Sequence, residues 1–208
     1  MKKIVSILIC LMMVMFVFSS CGSSDSNETS DSASKAEHTK ILFTMENGET
    51  FTVETYPEYA PETCENFVKL VNEGFYNGLT FHRIIPDFMA QGGDPKGDGT
   101  GGSSHTIKGE FAANGFTQNT LSHDRGVISM ARSNDMNSAS SQFFICYSGD
   151  SKANLDGNYA AFGKVIDGME TVDNFLKVER GYNPSESGNY KFTTPIEPIV
   201  IKTAEVLK

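Results

Sequence analysis

The sequence predicts a mainly β domain folded as an antiparallel barrel, and three observations carry that prediction. Strand-like runs rich in β-branched and aromatic residues outnumber helical ones between Lys40 and Lys208. No strand–helix–strand alternation is present of the kind that builds a parallel sheet. Glu46-Asn-Gly-Glu49 supplies the strongest two-residue hairpin signal at the start of the domain. With 39% hydrophobic residues and 15 Phe in 208 residues, there is material for one sizeable core and one folded domain.

Taken in order, Ile41–Met45 and Thr50–Thr55 are the strands of that first hairpin. A helix is predicted over Pro61–Asn72, with proline at its start, Glu62 and Glu65 in its first turns and Gly74 past its end. Cys64, Phe67, Val68 and Val71 recur at i, i+3, i+4 and i+7, a single apolar stripe that should lie on the barrel mouth. Leu79–Ile85 reads as a strand that Pro86 ends, because proline cannot donate to a sheet ladder. Phe88–Gln91 follows as another strand; successive side chains alternate, so Met89 and Gln91 share a face. Gly92 and Gly93 are read as turning the chain out of it.

Gly92–Ser104 is glycine-rich, but GDGTGG (Gly97–Gly102) lacks the lysine and the strand-to-helix context of a phosphate cradle, and a mobile loop is expected. Glu110–Gly126 shows little periodicity and reads as a long surface connection. Val127–Ala131, Gln142–Cys146, Tyr159–Val165 and Ile196–Val206 complete the strands. Met169–Val178 is a second helix, with Val172, Phe175 and Leu176 on its apolar stripe.

Before this domain the chain has a different character. Lys2 and Lys3 precede an apolar run, Ile4–Phe18, too short to span a bilayer comfortably, which is the plan of a secretory signal peptide over residues 1–20. Phe18-Ser-Ser-Cys21 resembles a bacterial lipoprotein box, in which the Cys21 sulfur receives a diacylglyceryl group. An ordinary cleaved signal with an incidental cysteine and an uncleaved transmembrane anchor are the alternatives. Residues 21–39 are Ser-rich and almost free of apolar groups, so they cannot bury enough surface to offset their ordering entropy and read as a disordered tether. The formal charge of −9, with no basic stripe, argues against nucleic acid and against an anionic bilayer surface; the membrane is expected to be reached only through the lipid. These features place the domain outside the cytoplasm, lipid-anchored to a bacterial membrane.

Of the remaining cysteines, Cys64 and Cys146 show neither a disulfide framework nor metal spacing and are read as free, buried thiols. His38, His82, His105 and His123 form no metal-ligand pattern, and His82 is read as a strand residue satisfied locally. No metal or cofactor is expected. Serine–histidine–aspartate hydrolysis has no elbow motif to support it.

Phe81–Asp94, FHRIIPDFMAQGGD, holds the candidate chemistry: a fixed cation, Arg83, among large apolar groups. An arginine alone in such a strand is ordinarily a solvated edge charge or half of an ion pair. Here the stretch resembles the signature of the cyclophilins, the cyclosporin-binding class of peptidyl-prolyl cis–trans isomerases. GDGTGG, GVISMAR (Gly126–Arg132), SSQFFI (Ser140–Ile145) and NLDGNYAAFGKV (Asn154–Val165) follow in that family's order, and the similarity spans Lys40 to Lys208. The resemblance implies a closed eight-stranded antiparallel barrel capped by two α-helices. It implies Arg83 as the catalytic donor, and Phe88, Met89, Phe144 and Leu155 as the lining of a proline slot. Gln91 would hold the substrate backbone or orient Arg83, and Ala131 with Arg132 would form the other edge of the groove. Tyr159 stands where many eukaryotic members carry histidine, and Asn154 where they carry tryptophan. Proline-containing polypeptides are the implied substrates. A monomer that assists folding of exported proteins is the expected form, and a non-catalytic module that merely holds proline segments in the same groove is the alternative.

Overall fold

The computed structural model describes residues 37–184 and 191–208; the signal-like segment, Cys21 and the Ser-rich stretch as far as residue 36 lie outside the described residues. Strands β1 (Lys40–Met45) and β2 (Thr50–Thr55) form the expected hairpin, with Lys40 opposite Glu54 and Thr44 opposite Thr50. Gly48 takes the left-handed φ of +86° that its tight turn requires. Next come helix α1 (Pro61–Asn72), β3 (Thr80–Ile85), β4 (Met89–Asp94), β5 (Val127–Met130), β6 (Phe143–Cys146), the single helical turn α2 (Lys152–Leu155) and β7 (Ala161–Asp167). Helix α3 (Met169–Asn174), a small hairpin of β8 (Arg180–Tyr182) and β9 (Phe192–Pro195), and β10 (Ile199–Val206) complete the domain.

Strand neighbours run β1, β10, β3, β4, β6, β5, β7, β2 and back to β1, a closed barrel of eight strands in which every pairing is antiparallel. Period-two alternation fills its interior: β1 buries Ile41, Phe43 and Met45 and turns the residues between them outward. The interior is largely aromatic. Phe43 stacks on Phe51 at 4.8 Å between centroids, and Phe143 meets Phe67 and Phe81 edge-on at 5.4 and 5.7 Å.

Helix α1 occupies the barrel mouth as its stripe requires, with Phe67 lying 4.9 Å from Phe162 and Cys64 and Val71 buried beside it. Its N-terminus has no cap of its own, because Ala60 offers no acceptor. Glu110 supplies one from far along the chain. Its buried carboxylate accepts the Glu62 and Thr63 backbone N–H groups at 3.0 and 2.8 Å and the Thr63 hydroxyl at 2.7 Å, and its charge faces the positive end of the helix dipole. The connection after Glu110 is therefore less superficial than its composition suggests. Asn119 within it is buried, donating to the Glu110 and Ala161 carbonyls.

Several boundaries differ from expectation. The second helix ends at Asn174, and its last turn, Phe175–Lys177, tightens into a 3-10 turn that still buries Phe175 against Phe81 at 4.8 Å. The last strand starts at Ile199, after Pro198, instead of at Ile196. Strand β4 runs on through Gly92 and Gly93 to Asp94, so these glycines do not end the strand. Helix α2 and the β8–β9 hairpin were not anticipated.

Candidate active site

The face that Arg83 adopts is decided by an irregularity. Between β3 and β4 the register slips twice. Thr80 opposes Asp94 and Phe81 opposes Gly92, which leaves Gly93 as an extra residue on β4. Its φ is +83°, and a Cβ there would collide with the Ser141 carbonyl, so the bulge needs glycine. Phe81 opposes Gly92 and Arg83 opposes Gln91, which leaves His82 as an extra residue on β3. Strict alternation from Phe81 would have sent Arg83 into the barrel with it. With His82 inserted, Phe81 and Ile84 both join the interior, while Ile85 joins a separate apolar cluster on the outside and Arg83 lines the cavity beside it.

That outer cluster joins Ile85, Met89, Phe144, Cys146 and Leu155, with Phe88, Ala131 and Tyr159 packed against it. It floors a cavity of about 220 Å³. Arg83, Gln91 and Arg132 stand in the wall of the same cavity, so the structure brings together every groove residue named from the sequence. Phe88 is delivered by a tight turn in which Phe88 N–H donates to the Ile85 carbonyl at 3.2 Å and Asp87 takes a φ of +60°. Leu155 comes from α2, and Tyr159 follows through its N–H bond to the Leu155 carbonyl at 3.0 Å. Asn154, by contrast, is exposed on α2 and does not line the cavity.

The polar edge is a relay of amides. Arg83 Nη1 donates to Gln91 Oε1 at 3.2 Å and lies 3.9 Å from Met89 Sδ. Gln91 Nε2 donates to Gln142 Oε1 at 2.9 Å, and Gln142 Nε2 donates to the Gly99 and Gly101 carbonyls at 3.1 and 2.7 Å. The glycine-rich loop is thereby tied to the guanidinium. Asp94 ties it again, accepting the Lys96 and Gly99 N–H groups at 2.8 and 2.6 Å. Ser140 packs where Gly102 has no side chain.

Beneath Phe144 lies an arrangement that the sequence analysis missed. His123 Nδ1 and Asp156 Oδ1 are 2.7 Å apart, and His123 Nε2 and Ser129 Oγ are 2.9 Å apart. The roles are those of a hydrolytic triad, but Ser129 is fully buried and His123 is 1% exposed, so no substrate carbonyl can reach the hydroxyl. The chain instead fastens the loop bearing Leu155 beneath Phe144, whose ring stacks on His123 at 6.0 Å. Burial lowers the His123 pKa against the opposing pull of Asp156, which keeps the ring neutral. Burial would raise the Asp156 pKa, but the His123 and Ser122 hydrogen bonds outweigh it and hold the carboxyl below its usual value. Asp156 lies in the NLDG block, and that was the one available signal.

His82 is not satisfied locally. It is 7% exposed, and neither ring nitrogen has a hydrogen-bond partner among the described residues. Burial lowers its pKa, with Asp94 opposing. Cys64 and Cys146 are free and buried, and burial pushes both thiols up to about 12, which removes them from nucleophilic chemistry. Among the described residues no group of three or more His, Cys, Asp or Glu is placed to hold a metal ion. A larger cavity of about 350 Å³ between the β1–β2 turn and the 3-10 turn has no cationic donor in its lining among the described residues.

The fold and site together define a closed barrel whose outer wall carries an apolar cavity edged by two guanidinium groups and an amide, with no Ser, Cys, Thr or Lys in its lining among the described residues. The family model for cyclophilin-type peptidyl-prolyl cis–trans isomerases matches residues 40–206, and the chain belongs to that family. It is 47% identical over 132 residues to peptidyl-prolyl cis–trans isomerase B of Bacillus subtilis, covering 64% of this chain and 87% of that protein. A Helicobacter pylori peptidyl-prolyl cis–trans isomerase is 43% identical over 135 residues, 65% of this chain and 78% of that one. Among solved structures, a Cryptosporidium parvum cyclophilin-type isomerase superposes with a TM-score of 0.66 at 31% identity, covering 83% of this chain and 99% of its own. A second crystal structure of that protein, in the presence of the dipeptide Ala-Pro, superposes with a TM-score of 0.64. The protein is an enzyme, a peptidyl-prolyl cis–trans isomerase.

Proposed function

We propose that Arg83 is the catalytic donor of this isomerase and that the 220 Å³ cavity beside it is the proline slot. A peptide bond resists rotation by about 18–20 kcal/mol, because its nitrogen lone pair is delocalised into the carbonyl. Before proline both isomers are populated, yet exchange is slow. Bringing it to milliseconds requires about 10⁴–10⁵-fold, or roughly 5.5–7 kcal/mol. In the twisted transition state the nitrogen becomes pyramidal and regains its lone pair, so a guanidinium donates to it far better than to the planar ground state. One charged hydrogen bond contributes about 1.5–3 kcal/mol. The remainder is assigned to the apolar floor of Met89, Phe144 and Leu155, which disfavours the dipolar planar amide, and to Gln91 holding the flanking backbone.

The observation that carries this reading is Arg83 held on the outer face by Gln91, at the wall of an apolar cavity. Arg83→Ala should lower kcat/KM in a proline-limited refolding assay by about 10- to 100-fold, while the unfolding midpoint stays near that of the wild type. Wild-type rates in the variant would remove Arg83 from the mechanism. Tight proline-peptide binding by a wild-type protein that gives no acceleration would favour a holding module.

We further propose that the enzyme acts outside the cytoplasm on exported proteins, as a monomer carried by a lipid on Cys21. This reading rests on the order of basic start, apolar run, Phe18-Ser-Ser-Cys21 and Ser-rich tether. Metabolic labelling with a radioactive fatty acid should mark the wild type and not Cys21→Ala. An unlabelled wild type would end the lipoprotein reading and leave the isomerase untouched.

A further inference from the structure

We infer that Arg132 makes this isomerase select an acidic side chain, Asp or Glu, within a few residues of its target proline; the inference rests on reading the 220 Å³ cavity as the proline slot. A second cavity of about 230 Å³ adjoins the slot and shares Gln91, Ala131 and Arg132 with it. Its remaining wall is polar, with Thr100, Ser133, Ser138 and Ser140 contributing hydroxyls. Among the described residues the two linings together hold two guanidinium groups, Arg83 and Arg132, and neither carboxylate nor lysine. On a chain of formal charge −9, this groove is a local cationic exception.

Arg132 is built in rather than loose. Its guanidinium carbon sits 4.6 Å from the Tyr159 ring centroid and 5.2 Å from that of Phe111. Nε and Nη2 donate to the Asn158 carbonyl at 3.1 and 3.0 Å, and Nη1 donates to the Ser133 carbonyl at 2.8 Å. Every acceptor among these is a neutral carbonyl, so among the described residues the Arg132 charge meets no carboxylate in the groove. Each terminal nitrogen carries a second N–H that these bonds leave over. Carboxylates on the neighbouring loops are already engaged: Asp98 accepts the Thr100 N–H and hydroxyl, Asp135 the Asn137 N–H, and Asp156 bonds with Ser122 and His123.

A stacked guanidinium loses little freedom on binding and offers a carboxylate paired donors. A lysine side chain at the same place would meet like charge. In an extended peptide a residue two or three positions from proline lies about 7–10 Å away, a span suited to neighbouring cavities with shared walls.

The test uses the full chain and matched proline peptides carrying Glu, Gln or Lys at each position within three residues of the proline, with exchange rates read by NMR. At one position kcat/KM should fall in the order Glu, Gln, Lys, by about fivefold per step at low salt, and the spread should narrow as ionic strength rises. Arg132→Glu should reverse the order. Equal rates for the three peptides, or an unchanged order in Arg132→Glu, overturns the inference. Affinities measured on Arg83→Ala read the same preference without turnover, and a Glu peptide that binds no tighter than its Lys counterpart also overturns it. Failure of the wild type to accelerate any peptide sinks the slot reading instead, while the affinities still decide the preference.

Discussion

The two faces of the β3–β4–β6 wall use the same strands for opposite purposes. Inside, Phe81, Ile84, Ala90, Phe143 and Ile145 sit among other buried apolar side chains. Outside, Met89 and Phe144 belong to an apolar floor that is open on one side and edged by the polar ends of Arg83 and Gln91. Phe143 and Phe144 are chain neighbours, one on each face. The interior gains stability from complete burial; in the outer cluster Met89, Phe144 and Leu155 are also buried, but Phe88, Ala131 and Tyr159 packed around them stay partly exposed at the cavity. On the proposed reading of the cavity as the proline slot, a ring gripped only transiently needs the second kind of surface, and the rigid first kind holds it in place.

Truncating those neighbours breaks the comparison most sharply. Phe143→Ala should cost about 3–5 kcal/mol in urea unfolding, because it empties the centre of an aromatic interior that cannot collapse. Phe144→Ala should cost less stability, since its space opens onto the slot, but should raise KM for proline peptides at least several-fold. Equal stability losses with no change in KM for Phe144→Ala would mean that the outer floor is merely more core.

A smaller effect separates the bulge from the faces that it divides. Burial holds the His82 and His123 pKa values below the ordinary 6.5, so on acidification the unfolded chain takes up protons that the folded chain resists. Stability is therefore full above about pH 6.5 and declines as pH falls from there through the depressed folded values. His82→Leu should flatten part of that decline, and it should cost little at pH 7.5, because it removes buried ring nitrogens that have no hydrogen-bond partner among the described residues. Urea midpoints at the two ends of the pH range measure this. An unchanged pH slope in His82→Leu would remove the bulge histidine from the account.

The smallest effect is expected at a surface ion pair. Arg125 Nη2 bonds Asp173 at 2.6 and 2.9 Å between half-exposed side chains. Asp173→Asn should cost less than about 1 kcal/mol and leave isomerase kinetics unchanged. A change in kcat would reveal coupling between α3 and the groove through Arg125, the Tyr147 carbonyl it bonds and the Tyr147–Phe88 backbone bond.

The legible parts of the sequence were those whose signals are local. Helix α1 has the bounds that were expected, because proline at its start, a four-residue apolar stripe and Gly74 all act within a few positions. The β1–β2 turn was readable from Asn47-Gly48 for the same reason. What escaped depended on partners far along the chain. Gly93 looks like a strand terminator in isolation, yet it stays in β4 because the Ser141 carbonyl approaches where a side chain would be. Glu110 looks like part of a surface connection, yet it caps a helix 47 residues away. The β8 strand has only three residues, too few for any alternation to show.

The sequence by itself determined the eight barrel strands, helix α1 and the residues that line the cavity, because hydrophobic period, turn chemistry and ordered motif blocks are properties of short stretches of chain. Only the tertiary structure decided which way Arg83 faces. Alternation counted from Phe81 points it inward, and the extra residue at His82, visible only once β3 is paired with β4, turns it out to the slot. Register is a relation between two strands, and no single stretch of sequence contains it.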